Sequence, residues 1–257
     1  DPTMTYSSAY FMGNESLEEV QFTKYRKIAE LADIKKNDQV LEIGCGWGGF
    51  SELCAREYEA HIKGLNLSKE QLRYALTRYE QKEISHKATA VLQDYRDETA
   101  QYDKIVSIEM FEAVGFENWD RYFKTIKDSL KADGNCVLQV ILIDDEKFES
   151  YRHNVDFIQR YIFPGGLLPS YRALKEAIER NGLELVAHET FGQSYAKTCA
   201  IWQRDFQHAW DKIKTQGFEE RFKRMWEYYL SYCEAGFLTK AIDVAFFKIK
   251  KQNNEIY

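Results

Sequence analysis

Two hydrophobic rhythms alternate along the chain. Short runs rich in β-branched and aliphatic residues (QVLEIG at 39–44, AHIKGLNL at 60–67, ATAVLQ at 88–93, KIVSIEM at 104–110 and CVLQVILI at 136–143) are separated by stretches with helical character. Apolar runs of this length between helical stretches read as strands of a parallel sheet joined by crossover helices. Ser16 to Glu19 has the spacing of a capping box and predicts a helix from there to about Asp33. Past the fifth strand the alternation breaks. DFIQRYIFPGG at 156–166 inserts an aromatic segment ending in Pro164, Gly165 and Gly166, which reads as a cover over a site. A helix near 170–181, a strand LELVAHETF at 183–191 and a long helical stretch from Tyr195 to about Gly217 follow. Phe222, Met225, Trp226, Tyr229, Leu230 and Cys233 then recur at three- and four-residue spacing, which predicts an amphipathic helix stopped at Gly236. AIDVAFFKIK at 241–250 predicts a closing strand.

Composition narrows the class. With 257 residues, 44% apolar and 30% charged, the chain fits one globular α/β domain better than a disordered or membrane-embedded protein. A net charge of −6 argues against nucleic acid as a partner. The five cysteines are scattered, with no CxxC and no Cys/His cluster, so a metal site is not expected and the thiols read as reduced. No run approaches the roughly 18 apolar residues of a spanning helix, and no signal peptide opens the chain, so the expected location is the cytoplasm. Aromatic residues, at 15%, exceed what a plain α/β core requires, and some are expected to line a large apolar cavity.

The stretch VLEIGCGWGGF at 40–50 carries the chemistry. Gly44, Gly46 and Gly49 match G-x-G-x-x-G after a strand, which first brings a dinucleotide to mind. Two features oppose it. The second strand ends GLNLS, with Asn66 where an acid would hold the ribose hydroxyls, and Glu42 places a carboxylate inside the first strand, where it would repel a pyrophosphate. A ligand with an amino group and a sulfonium would welcome that carboxylate, and glycines would let it lie against the backbone. The pattern favours S-adenosylmethionine over NAD.

Further motifs, YSSAYF (6–11), LEIGCGWGGF (41–50), GLNLSKEQ (64–71), DYRD (94–97), IVSIEMFEAVG (105–115), RYIFPGG (160–166), FGQSYAKT (191–198) and RMWEYYLSYCEAGF (224–237), run through almost the whole chain. In this order they resemble the cyclopropane-fatty-acyl-phospholipid synthase family. The resemblance implies a class I methyltransferase: a Rossmann-like α/β fold with a seven-stranded, mostly parallel sheet, an antiparallel last strand, and inserted helices covering an acyl pocket. The expected single domain, 1–257, divides into a cofactor-covering segment and helix (1–35), a cofactor-binding core (36–143), cover and acyl-pocket insertions (144–240) and the closing strand (241–250).

The activity implied is methyl transfer from S-adenosylmethionine to the double bond of an unsaturated phospholipid acyl chain. The product would be a cyclopropane or a methylene- or methyl-branched chain, made by a protein peripheral to the inner face of the membrane. Carried over by position, Tyr6, Ser7, Gly44, Gly46, Asn66, Gln71, Tyr95, Arg96 and Ile108 should contact the cofactor, joined by Glu42. A bicarbonate ion is the family's base, held by groups matching Ser8, Glu112, Gln139, Ile141 and Tyr195. Tyr10, Phe11, Tyr161, Phe163 and Tyr229 are candidates to face the carbocation formed on methyl transfer. The chain departs from the family pattern with Ser8 for a cysteine, Gln139 for a histidine and Ala113 within FEAVG for FEHVG. Gln139 can donate or accept a hydrogen bond but does not titrate, which separates bicarbonate and ring closure from the methyl transfer itself. Two other functions stand beside this one: methylation of a small amine, and non-catalytic binding of cofactor or lipid. A homo-oligomer is left open.

Overall fold

The computed structural model describes residues 1–252; the end of the expected domain, 253–257, lies outside the described residues. Helix α1 (Leu17–Ala32) starts where the Ser16–Glu19 capping box closes, and β1 (Gln39–Ile43) follows it. The alternating half continues through α2 (Gly49–Glu57), β2 (His61–Asn66), α3 (Lys69–Gln81), β3 (Ala88–Leu92), β4 (Tyr102–Ile108), α4 (Trp119–Ser129) and β5 (Leu130–Ile143). The second half contains α5 (Phe148–His153), α6 (Phe157–Tyr161), α7 (Tyr171–Arg180), β6 (Leu183–Thr190), α8 (Gly192–His208), α9 (Trp210–Lys214), α10 (Glu220–Leu238) and β7 (Ile242–Lys251).

All seven strands form one sheet in the order β3-β2-β1-β4-β5-β7-β6. The pairs from β3 through β5 are parallel, and β7 runs antiparallel between β5 and β6. This is the mostly parallel sheet with an antiparallel last strand that the family resemblance implies. Both faces are covered, so the central strands are apolar on each side rather than alternating. One face packs Tyr122, Phe123 and Ile126 of α4 and Leu174 and Ile178 of α7. The other packs Ile28 of α1, Phe50 and Leu53 of α2, Cys199 of α8 and Phe237 of α10. All five cysteines are free thiols.

Three of the boundaries that differ from the sequence pattern have a visible physical cause. β5 begins at Leu130 rather than 136, because the polar stretch after Leu130 bulges: Tyr102 pairs with Leu130, but Lys104 pairs with Asn135. β4 stops at Ile108, since Glu109 turns to a left-handed φ of 48°. α10 runs through Gly236 to Leu238; a Cβ at Gly236 would lie 3.0 Å from Ile242, so this glycine serves close packing against β7 rather than ending the helix.

Candidate active site

Chain and cavity meet at the carboxyl ends of β1, β2 and β4, the edge where open α/β sheets bind ligands. Leaving β1, Gly44 and Gly46 adopt φ of 83° and 50°. A Cβ at Gly44 would come 2.9 Å from Met110, whereas one at Gly46 would meet nothing within 4 Å. Gly46 thus presents bare backbone to open space. Asn66 braces the loop: its Nδ2 donates to the Gly46 carbonyl at 2.8 Å and its Oδ1 accepts from the Ser68 N–H at 3.0 Å.

The cavity measures about 540 Å³, is open on one side and is lined by Tyr6, Ser7, Glu42, Gly44, Gly46, Asn66, Gln71, Tyr95 and Ile108. Arg96 is not part of that lining. It pairs with Asp94 at 2.6 Å, and the same aspartate accepts the Arg96 N–H at 2.9 Å, so the short turn directs the guanidinium to the surface. Glu42 is buried and accepts a hydrogen bond from the Ser51 hydroxyl. Burial pushes its carboxyl up to about 7, so a cation placed nearby would draw it to the anion.

The segment before α1 forms a strap along this cavity, with Thr3 to Ser7 in its wall. From α1, Gln21 Nε2 donates to the Ser7 carbonyl at 3.0 Å, Lys24 Nζ to Ser7 Oγ at 2.6 Å, and the Tyr25 hydroxyl lies 2.6 Å from that of Thr5. From α8, Thr198 Oγ1 accepts from the Ala9 N–H and Ser194 Oγ from the Phe11 N–H, both at 3.1 Å.

Beside the cavity, Ser8, Gln139 and Tyr195 converge, all three buried. They converge on Glu109, a residue the sequence reading passes over. Glu109 Oε1 accepts from the Ser8 backbone N–H at 2.8 Å and from Gln139 Nε2 at 2.6 Å, and Oε2 accepts from the Tyr195 hydroxyl at 2.7 Å. Ser8 therefore contributes its backbone; its hydroxyl turns away to the Ala9 carbonyl. The Ile141 N–H donates to Glu112 Oε1 at 2.6 Å, and Glu112 Oε2 is buried with no hydrogen-bond partner. Burial, and then the charge of Glu109, push the Glu112 carboxyl up to about 8. Burial also raises Glu109, against the pull of Lys24 and its three donors. Lys24, buried in the wall, is drawn down to about 7 by desolvation while Glu109 and Glu42 hold it up.

Aromatic rings close the space around these carboxyls. The hydroxyls of Tyr6 and Tyr229 are 3.0 Å apart, Tyr6 packs 5.3 Å from Trp202, and Phe163 lies 6.0 Å from Tyr229. Tyr195 stacks on Phe237 at 4.4 Å. Of the rings named from the sequence, Phe163 and Tyr229 belong to this wall. Tyr10 packs on Phe191 and Phe246 with its hydroxyl on Glu189, Phe11 packs against the cluster of Ala9, Leu17 and Val20, and Tyr161 is exposed beside Phe157. The cover is tied to the site: the Leu167 N–H donates to the Glu112 carbonyl at 2.8 Å. Among the described residues no cluster of His, Cys, Asp and Glu could hold a metal.

A sheet of this order, a glycine loop after β1 with a buried carboxylate before it, and a strap and cover over the same edge define a class I methyltransferase fold. The chain belongs to the mycolic acid cyclopropane synthetase family, whose model matches residues 1–247. It is 39% identical over 255 residues to tuberculostearic acid methyltransferase UfaA1 of Mycobacterium tuberculosis, covering 95% of this chain and 59% of that protein. It is also 39% identical over 245 residues to the cyclopropane-fatty-acyl-phospholipid synthase of Escherichia coli, covering 95% and 61%. The chain thus spans about three fifths of the length of these relatives. Mycolic acid cyclopropane synthase CmaA1, solved in complex with SAH and CTAB, superposes with a TM-score of 0.91 at 29% identity, covering 98% of this chain and 91% of that one.

Proposed function

We propose that this chain transfers a methyl group from S-adenosylmethionine to the double bond of an unsaturated acyl chain of a phospholipid, giving a cyclopropane or a methylene- or methyl-branched product. The observation that carries this reading is that one cavity joins the glycine-lined edge to the Glu109 carboxyl, whose charge reaches the neighbouring Glu112, and that Tyr6 of the same lining continues into an aromatic enclosure through Tyr229 and Trp202. Gly44, Gly46, Glu42, Gln71 and Tyr6 are placed to hold the methyl donor, and the buried carboxylate in β1 suits its cationic groups. Bound there, the donor supplies an electrophilic methyl.

An alkene is a weak nucleophile, so the chain's part is to align it and exclude water. The faces of Tyr6, Trp202, Phe163 and Tyr229 can stabilise the resulting carbocation, at about 0.5–2 kcal/mol each. A small amine would need no such apolar enclosure, which favours the lipid over the amine.

Delivery from a membrane surface is part of the proposal. Val155, Tyr161 and Phe163 of the cover region are 73%, 54% and 45% exposed, and Phe157 packs against Tyr161 and against Tyr228 and Tyr232 of α10, giving an apolar face near the site. Among the described residues no helix is long and apolar enough to cross a membrane.

The test is incubation with isotope-labelled methyl donor and either vesicles of an oleoyl phospholipid or a panel of soluble amines, followed by mass spectrometry. The expected product is oleoyl lipid heavier by one CH₂ unit. Labelled amine with unlabelled lipid would transfer the function to amine methylation, and no product on either would leave a binding protein.

A further inference from the structure

The family's base does not fit this site, because its cradle is already filled. We infer that Glu109 is the base of the reaction, occupying with its own carboxylate the place that bicarbonate takes in the family. The inference rests on the proposed methyl transfer for its chemistry, and on geometry for the occupant.

Each group assigned to holding bicarbonate ends on a side-chain carboxyl of the chain itself. The Ser8 N–H, the Gln139 amide and the Tyr195 hydroxyl all donate to Glu109, and the Ile141 N–H donates to Glu112. A second anion would have to compete with these carboxyls for the same donors. A bicarbonate beside Glu109 would moreover place two like charges in one poorly solvated space, an arrangement that drives one of them to take up a proton.

Glu109 is also built to be where it is. Its φ of 48° is a conformation that costs an L-residue about 1–2 kcal/mol, and this turn places the carboxyl among its three donors. It lines the cavity and keeps partial exposure, while its three partners are buried. A carboxylate has about four acceptor positions. Three are used here, which leaves Oε2 room for one proton. Lys24, whose ammonium is held in the wall by Ser7, supplies the countercharge.

The step balances. The alkene π pair forms the new C–CH₃ bond as the S–CH₃ bond breaks, leaving a carbocation on the neighbouring carbon and S-adenosylhomocysteine. Glu109 Oε2 takes a proton from the new methyl, and the C–H electron pair closes the cyclopropane. If a hydride first shifts from the methyl-bearing carbon to the cation, the same proton loss makes a methylene branch on the chain. One base serves both outcomes. Glu112, protonated and bonded to Ile141, is a positioning residue.

The experiment compares the parent, Glu109→Gln and Glu109→Gly, each with carbon-dioxide-free buffer and with added bicarbonate, on oleoyl phospholipid vesicles. Donor affinity and bicarbonate binding are measured separately by calorimetry. The parent is expected to turn over equally in both buffers. Glu109→Gln should lose roughly 10²- to 10⁴-fold in turnover with donor affinity retained. Glu109→Gly relieves the strained φ and empties the cradle, so it should be inactive without bicarbonate, bind the ion, and recover part of its activity with it. Parent turnover that needs bicarbonate, or undiminished turnover of Glu109→Gln, would overturn the inference. If no variant methylates lipid, the proposed function fails, and calorimetry still decides the occupant. Bicarbonate binding by Glu109→Gly but not by the parent supports it, and equal binding by both overturns it.

Discussion

Gly46 holds a left-handed φ of 50° where an added Cβ would meet only open cavity. Valine there would carry about 1–2 kcal/mol of backbone strain and would project two methyls into the donor's space. Gly46→Val is therefore expected to weaken S-adenosylmethionine binding at least about tenfold, or about 1.4 kcal/mol. Unchanged affinity by calorimetry would reduce the loop to a turn.

The buried carboxyls make a second residue-level prediction. Glu112, pushed up to about 8, binds its proton more tightly folded than unfolded. Its contribution to stability is complete below the ordinary carboxyl range and is lost as pH rises toward 8. Glu42, up to about 7, and Glu109 act in the same direction, while Lys24, drawn down to about 7, opposes them only above that value. The thermal midpoint should fall between about pH 5 and about pH 7, and Glu112→Gln should flatten part of that slope. A midpoint rising over this range would contradict the assignment.

Glu109 itself shows what the sequence conceals. It stands three residues before Glu112, but KIVSIEM reads as unbroken strand, and only the left-handed φ reveals that the strand has already stopped.

At the scale of elements, strong periodicity translated directly. The capping box at Ser16 starts α1, and each of the seven apolar runs became a strand. Boundaries set by tertiary contact were less legible. The bulge after Leu130 hides in a polar stretch because its pairing is decided by Tyr102 and Lys104 on another strand. Gly236 looks like a helix stop, since a glycine after an amphipathic run usually is one. Its actual constraint is Ile242, at the start of the next strand. Gly236→Val should thus destabilise the fold by roughly 1–3 kcal/mol through overpacking, read as a lower urea midpoint with unchanged slope. A neutral result would mean that β7 yields to α10.

For the whole molecule, the sheet fixes the edge while the strap before α1 and the cover after β5, far apart in the chain, flank it. The cover's exposed face is where the proposed delivery from a membrane surface can be tested. Replacing Val155 or Tyr161 by Asp removes an apolar side chain worth about 1.5 kcal/mol or more on burial, so each should lower co-sedimentation with phospholipid vesicles about tenfold. Donor affinity should be unaffected. Vesicle binding indifferent to both changes would place the lipid-facing surface elsewhere.

The strap has a temporal consequence. The same short segment walls the donor cavity through Ser7 and gives Glu109 one of its three hydrogen bonds through Ser8. Any lifting of the strap to exchange spent donor withdraws that N–H, and a carboxylate deprived of a donor holds its proton more firmly. The base is then strongest as a proton keeper when the door is open and readiest to lose its proton when the segment is back in place. On the proposed reaction, product exchange and resetting of the proton would be geared to one motion, and the expected kinetic trace is a burst of product followed by a slower, strap-limited steady state.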